Sequence, residues 1–84
     1  MNYEEAAERT TLWYRREPSY LIDVTGFLKA EPPRFCVGVT LFDAQGMGVR
    51  ATSISEHEDE AKAVRAAEHL DEIIHFITKE SSYV

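Results

Sequence analysis

A β-hairpin between residues 34 and 54 is the feature that most limits the folds open to this sequence. Along residues 34–43 every second side chain is apolar and falls on one face: Phe35, Val37, Val39 and Leu41. Asp43-Ala44-Gln45-Gly46 then has the composition of a tight turn, with Asp at the first position and a Gly that tolerates positive φ at the end. Residues 47–54 alternate again. We therefore predict two antiparallel strands, 34–43 and 47–54, joined by this turn.

A third strand is predicted ahead of the hairpin. Residues 19–30 alternate, with one apolar side and one wet side, and the apolar side carries Tyr20, Ile22, Val24 and Leu28. Gly26 interrupts the alternation, as a bulge would, and Pro32-Pro33 separates this strand from the hairpin.

The N-terminal segment has two interpretations. Asn2 and Glu5 have the spacing of a capping box, and apolar residues then recur at helical intervals as far as Trp13. This pattern predicts a helix over residues 2–16, whose end at Arg15 and Arg16 would suit the helix dipole. The stretch 10–14 is also rich in β-branched and aromatic residues. A short helix followed by an extra strand is therefore the alternative.

The last third of the chain has the periodicity of a long amphipathic helix. Ser55 and Glu58 form a second capping box, and apolar residues follow at intervals of four and three: Ala63, Ala67, Leu70, Ile74 and Ile77. We predict a helix over residues 56–79, with Leu70, Ile73, Ile74 and Ile77 buried against the sheet. The whole prediction is one α+β domain over residues 1–84 in α-β-β-β-α order, with a three-stranded antiparallel sheet and both helices on one face.

This order resembles that of the double-stranded RNA-binding domain, and the Ala-rich start of the last helix, residues 61–67, is similar to that family. The family holds phosphate with lysines at the start of its last helix, where this chain has Glu56, Glu58, Asp59 and Glu60. The resemblance therefore implies architecture only. A second resemblance, to antitoxins of the HicB type, covers the hairpin and a helix that opens with Ser55 and Glu56, but the Pro- and Gly-containing segment of those proteins is missing here.

Size and cysteine usage predict a small cytoplasmic protein. A domain of 84 residues buries only about 60% of the surface its unfolded chain exposes, so a dimer interface or a bound partner would add needed stability. The single cysteine, Cys36, cannot form an internal disulfide. We also expect no signal peptide and no membrane span, because the start of the chain lacks a signal pattern and no apolar run approaches roughly 20 residues.

No catalytic, cofactor or metal site is predicted. Cys36 lies in mid-strand and is interpreted as a packing residue. His69 and His75 are six positions apart, so they do not share a helix face, and Glu72 with His75 supplies only half of a di-iron pattern. We expect an exposed interaction of His75 with Asp71 or Glu72 instead. The acids of residues 56–60 lack the Gly and the terminal Glu of a calcium loop.

Charge then favours a protein-binding function. The chain carries a net charge of −6, and eight acids but only three bases follow residue 54. Nucleic-acid binding requires clustered Lys and Arg, so we expect no direct contact with nucleic acid, and none with a membrane. The predicted partner-binding residues are seven acids near or on the last helix: Glu56, Glu58, Asp59, Glu60, Glu68, Asp71 and Glu72.

We therefore expect a non-enzymatic, acidic protein that binds a basic protein surface. Basic surfaces are common on proteins that handle nucleic acid, and the chain has the general properties of stoichiometric inhibitors such as the anti-CRISPR and anti-restriction proteins of phages. An antitoxin-like or other regulatory partner protein is one alternative. A nucleic-acid-binding domain with the order of the double-stranded RNA-binding domain is another, and a homodimer is left open.

Overall fold

A four-stranded antiparallel sheet and one helix make up the described part of the chain. The computed structural model describes residues 8–81, and the side chains of residues 8–77. The strands are β1 (Thr10–Arg16), β2 (Tyr20–Phe27), β3 (Arg34–Phe42) and β4 (Gly48–His57), and the helix is α1 (Glu60–Ser81). Each strand pairs with the next along the chain, so the sheet order is β1-β2-β3-β4. The helix packs on one face of this sheet.

The predicted α-β-β-β-α order with a three-stranded sheet is wrong, because the described order is β-β-β-β-α. Residues 10–16 form β1, which pairs with β2 from Thr10 opposite Gly26 to Arg16 opposite Leu21. The alternative of an additional strand is therefore the correct one for this segment. Its β-branched and aromatic residues suit a pleated surface, and β2 offers them a complete ladder of backbone partners. Residues 2–7 of the predicted N-terminal helix lie outside the described residues.

The hairpin of β3 and β4 lies where the alternation places it. Gly46 has a φ of 82° and its N–H donates to the carbonyl of Asp43 at 3.0 Å. The Asp43 side chain adds to the turn, because Oδ1 accepts hydrogen bonds from the backbone N–H groups of Gln45 at 3.0 Å and Met47 at 2.9 Å. Asp43 and Gly46 thus fix the turn from both ends.

The helix begins four residues later than the predicted position 56. Ser55, Glu56 and His57 pair with Val37, Cys36 and Phe35, so β4 runs to His57 and uses the residues of the predicted capping box. Asp59 caps the helix instead: its Oδ1 accepts from the N–H groups of Ala61 at 2.7 Å and Lys62 at 3.3 Å. A ladder with β3 satisfies more backbone groups than an early helix start would, and this explains the shift.

The core lies between α1 and the two central strands. Its buried side chains come from β2, β3 and the first half of the helix: Tyr20, Ile22, Val24, Phe35, Val37, Ala63 and Ala67. Leu70 and Ile74 are partly buried against this core. Ile73 and Ile77 are 42% and 57% exposed, so their predicted burial against the sheet is wrong. In the described part of the chain, no helix combines the length and apolarity needed to cross a bilayer.

Candidate functional site

One helix leaves part of this sheet uncovered. Strands lie about 4.8 Å apart, so four of them span some 15–20 Å, whereas a helix is only about 10–12 Å across. The helix α1 lies mainly over β2 and β3. Strand β4 is at the edge of the sheet, and eight of its ten residues are exposed and none is fully buried. An exposed edge strand of this length presents backbone groups that can pair with another chain.

A strip of apolar side chains on α1 borders this edge. Ile73, Phe76 and Ile77 are 42%, 66% and 57% exposed, and we call them the apolar strip. Asp71 contacts Tyr20 on β2 and Arg15 on β1, so its flank of the helix faces those strands. Ile73 lies two residues further on, or about 200° around the helix axis, and therefore occupies the opposite flank. The strip consequently lies on the flank of the helix that is turned away from β1 and towards β4.

The end of the hairpin also exposes apolar side chains. Leu41 is the register partner of Tyr20, so both side chains lie on the face of the sheet that carries the helix. Leu41 is nevertheless 44% exposed, and Met47 and Val49 at the hairpin end are 66% and 62% exposed. We refer to the apolar strip, Leu41 and strand β4 together as the open surface.

Six of the seven predicted partner-binding acids are exposed, but their surroundings differ. Glu58, Glu60, Glu68 and Glu72 lie at the surface near the helix start and along the helix. Glu56 forms an ion pair with Arg34, and Asp59 is committed to the helix cap. Asp71 is the exception, because it is only 2% exposed and cannot meet a partner.

Asp71 instead lies at the centre of a polar cluster that ties the helix to β1 and β2. Its Oδ2 accepts a hydrogen bond from Arg15 Nη1 at 2.6 Å, and its Oδ1 accepts one from the Tyr20 hydroxyl at 2.8 Å. Burial, and secondly the hydrogen bond to Asp71, raise the pKa of Tyr20 above its ordinary value. This role of Asp71 was not predicted from the sequence, although Asp71 follows Ala63 and Ala67 at intervals of four and so continues a buried line.

His75 belongs to the same cluster. The predicted contact with Asp71 is present, but its predicted exposure is wrong because Asp71 is buried. His75 Nδ1 lies 3.4 Å from Asp71 Oδ1 and 2.9 Å from the Asp71 carbonyl oxygen. On its other side, Nε2 lies 3.5 Å from Oε1 of Glu17, in the turn between β1 and β2. One potential ligand atom from each of Glu17, Asp71 and His75 falls within a group whose members are all within 4.8 Å of one another. No metal site was predicted from the sequence, because Glu17 is remote from the other two along the chain.

Two other places in the described part of the chain carry potential nucleophiles: Ser55 beside His57 on β4, and Cys36 on β3. Ser55 Oγ and His57 Nε2 are 2.9 Å apart on β4, which is the contact a nucleophile and its base would make. Among the described residues no acid hydrogen-bonds to the His57 ring, so the orienting third group of a triad is missing there. Burial, and secondly the charge of Glu56, raise the pKa of the Cys36 thiol, which disfavours the reactive thiolate.

The outer face of the sheet, opposite α1, contains an open groove of about 490 Å³. Small and hydroxylated side chains form most of its lining, together with Asp23 and Arg9. A Cβ added at Gly38 would lie 2.9 Å from Asp23 Oδ1, so this carboxylate rests directly over the glycine. Burial raises the pKa of Asp23. The groove is open to solvent, and its lining combines these polar groups with apolar side chains such as Phe27.

Comparisons with known proteins do not identify a family or a function for this chain. No protein-family model matches the chain, and no curated protein or solved structure matches it significantly.

Proposed function

We propose that this is a cytoplasmic protein-binding module that acts by occupying a surface of its partner. The open surface carries this proposal: a ten-residue edge strand and a strip of apolar helix residues are both exposed. Contiguous exposed apolar area is typical of protein interfaces, because its burial is favourable by about 25 cal/mol per Å². Phe76 and Ile73 are the natural anchors, since aromatic and large apolar side chains dominate binding energies.

The acids around the strip indicate the chemistry of the partner. Glu68 and Glu72 are exposed on the same helix, and the chain as a whole carries a net charge of −6. A partner with an apolar contact area and a basic rim would be attracted over a distance, and this steering weakens as salt screens it. The narrower expectation of an inhibitor of a nucleic-acid-handling protein rests on this charge. An antitoxin-like regulator would use the same surface and differ only in the partner's identity.

Affinity capture from the organism that encodes the protein tests the proposal. The wild-type protein serves as bait and is compared with a variant that carries Ile73→Ser and Phe76→Ser. These substitutions remove two of the three residues of the apolar strip, and we call this protein the strip variant. Tyr14→Ser is the matched control, because Tyr14 on β1 is 67% exposed, as Phe76 is 66% exposed. We expect at least one protein that the wild type and the control retain and the strip variant loses. Equal capture by all three baits would contradict the proposal.

A second arm distinguishes a heterologous partner from a second copy of the chain. Sedimentation of the purified protein reports self-association, which the edge strand β4 would also permit. A monomer across the micromolar range, together with a captured protein, supports the module. A stable dimer that the strip variant dissociates, with nothing captured, would replace it with a homodimer.

A further inference from the structure

The protonation state of the His75 ring follows from its neighbours. Three oxygens surround Nδ1: the Asp71 carbonyl at 2.9 Å, the Tyr20 hydroxyl at 3.2 Å and Asp71 Oδ1 at 3.4 Å. The Tyr20 hydroxyl donates its proton to the Asp71 carboxylate, which accepts only, so all three oxygens present lone pairs to Nδ1. Nδ1 must therefore carry a proton and donate it. In the neutral ring, Nε2 is then the nitrogen with the free lone pair.

That lone pair faces a second acceptor. Nε2 lies 3.5 Å from Oε1 of Glu17, so a proton or a cation between these two electron-rich atoms would be favourable. A proton would draw them together, because charge-assisted N–H···O bonds are about 2.7–2.9 Å long. Two ligands of a tetrahedral zinc ion with bonds of about 2.0–2.1 Å are roughly 3.3–3.4 Å apart. The observed separation of 3.5 Å leaves room for such an ion between the two atoms.

We propose that Glu17, Asp71 and His75 bind a divalent first-row transition-metal ion, of which Zn²⁺ is the representative probe. In this proposal, His75 Nε2 and the Glu17 carboxylate are the principal ligands and the Asp71 carboxylate is the third. One donor atom from each of the three residues belongs to a group whose members lie within 4.8 Å of one another. Imidazole and carboxylate donors suit this class of ion.

The surroundings of these ligands have the form that metal sites require. A metal-binding histidine commonly donates its other ring N–H to a carbonyl or carboxylate, as His75 Nδ1 does to Asp71. Arg15 and Tyr20 hold the Asp71 carboxylate in one orientation. The backbone of Glu17 is held in place as well, since its N–H donates to the Tyr20 carbonyl at 2.8 Å. Two carboxylates against one guanidinium leave a net charge of about −1, which attracts a cation.

Calorimetric titration of the full chain with ZnCl₂ tests this proposal. We expect one saturable site per chain, and an affinity at least about tenfold lower in His75→Gln and in Glu17→Gln, a loss of about 1.4 kcal/mol. The matched control is His69→Gln on the same helix, whose ring Nδ1 lies 4.0 Å from Glu72 without the rest of the cluster. This control should bind as the wild type does. Circular dichroism checks that each variant is folded.

A second readout reports the ligand atom itself. In long-range ¹H–¹⁵N spectra, Zn²⁺ should shift Nε2 of His75 while Nδ1 stays protonated, and His69 should not respond. Absence of saturable binding would overturn the proposal and leave His75 and Glu17 as a pair bridged by a proton. Binding that survives His75→Gln but is lost in His69→Gln would overturn it equally.

Discussion

At the residue scale, the least expected feature is a carboxylate in the interior of a small domain. Burying an ionised group is costly unless hydrogen bonds replace its water. Asp71 receives them from Arg15 and Tyr20, and no buried side-chain polar atom in the described residues lacks a hydrogen-bond partner. The Arg15 side chain is half exposed, so its guanidinium group remains in contact with solvent while its Nη1 atom contacts Asp71. The cluster thereby joins β1, β2 and α1 through one side chain.

This arrangement predicts that the Tyr20 hydroxyl contributes to the free energy of unfolding, because it supports the buried Asp71 carboxylate. Tyr20→Phe keeps the buried ring but removes a donor from Asp71 Oδ1, so we expect a loss of about 1–3 kcal/mol in the free energy of unfolding. Urea unfolding measures it. Tyr14→Phe, at an exposed tyrosine, should stay within about 0.5 kcal/mol of the wild type. If the two substitutions have equal effects, the hydroxyl does not support Asp71.

At the element scale, local patterns predict structure well where one signal acts alone. The hairpin turn depends on Asp43 and Gly46, and nothing nearby competes with it. Residues 10–16 carry one signal for helix and one for strand, whereas residues 55–58 carry only the capping-box signal for helix. In both places pairing with a neighbouring strand decides the outcome, and that pairing is a long-range property which a local pattern does not contain.

The start of α1 gives a direct test of this outcome. Asp59→Ala should destabilise the protein by about 1 kcal/mol, because it removes the cap from two backbone N–H groups. Glu58→Ala, at the last position of the predicted capping box, should change stability by less than about 0.5 kcal/mol. Thermal or urea unfolding of both variants decides the order. A larger effect at Glu58 would place the helix start at Ser55 after all.

The two flanks of α1 should also differ in their contribution to stability. Leu70 is packed against the core and Ile73 is 42% exposed. We expect Leu70→Ala to cost about 2 kcal/mol, at the low end for core residues because Leu70 is only partly buried. Ile73→Ala should cost less than about 1 kcal/mol. Similar losses at both positions would show that the helix is rotated relative to this description.

At the scale of the whole molecule, one helix on a wider sheet leaves strand β4 and the apolar strip exposed. The acids along residues 56–72 could be read from the sequence, and all of the predicted acids except Asp71 are exposed. The apolar strip could not, because Ile73 and Ile77 continue the periodicity of the core. Whether an apolar residue of this helix joins the core or the exposed strip depends on how much of the helix lies against the sheet. Periodicity identifies an apolar face but not how much of it the fold covers.

The central claim is that the open surface binds a protein partner. The most direct measurement is the dissociation constant of the captured partner with the wild type, with Ile73→Ser/Phe76→Ser and with Tyr14→Ser, at two salt concentrations. We predict that the strip variant binds at least tenfold more weakly, or by about 1.4 kcal/mol, while Tyr14→Ser binds as the wild type does. Higher salt should weaken the wild-type complex by slowing its association. Equal dissociation constants for the wild type and the strip variant would contradict the claim.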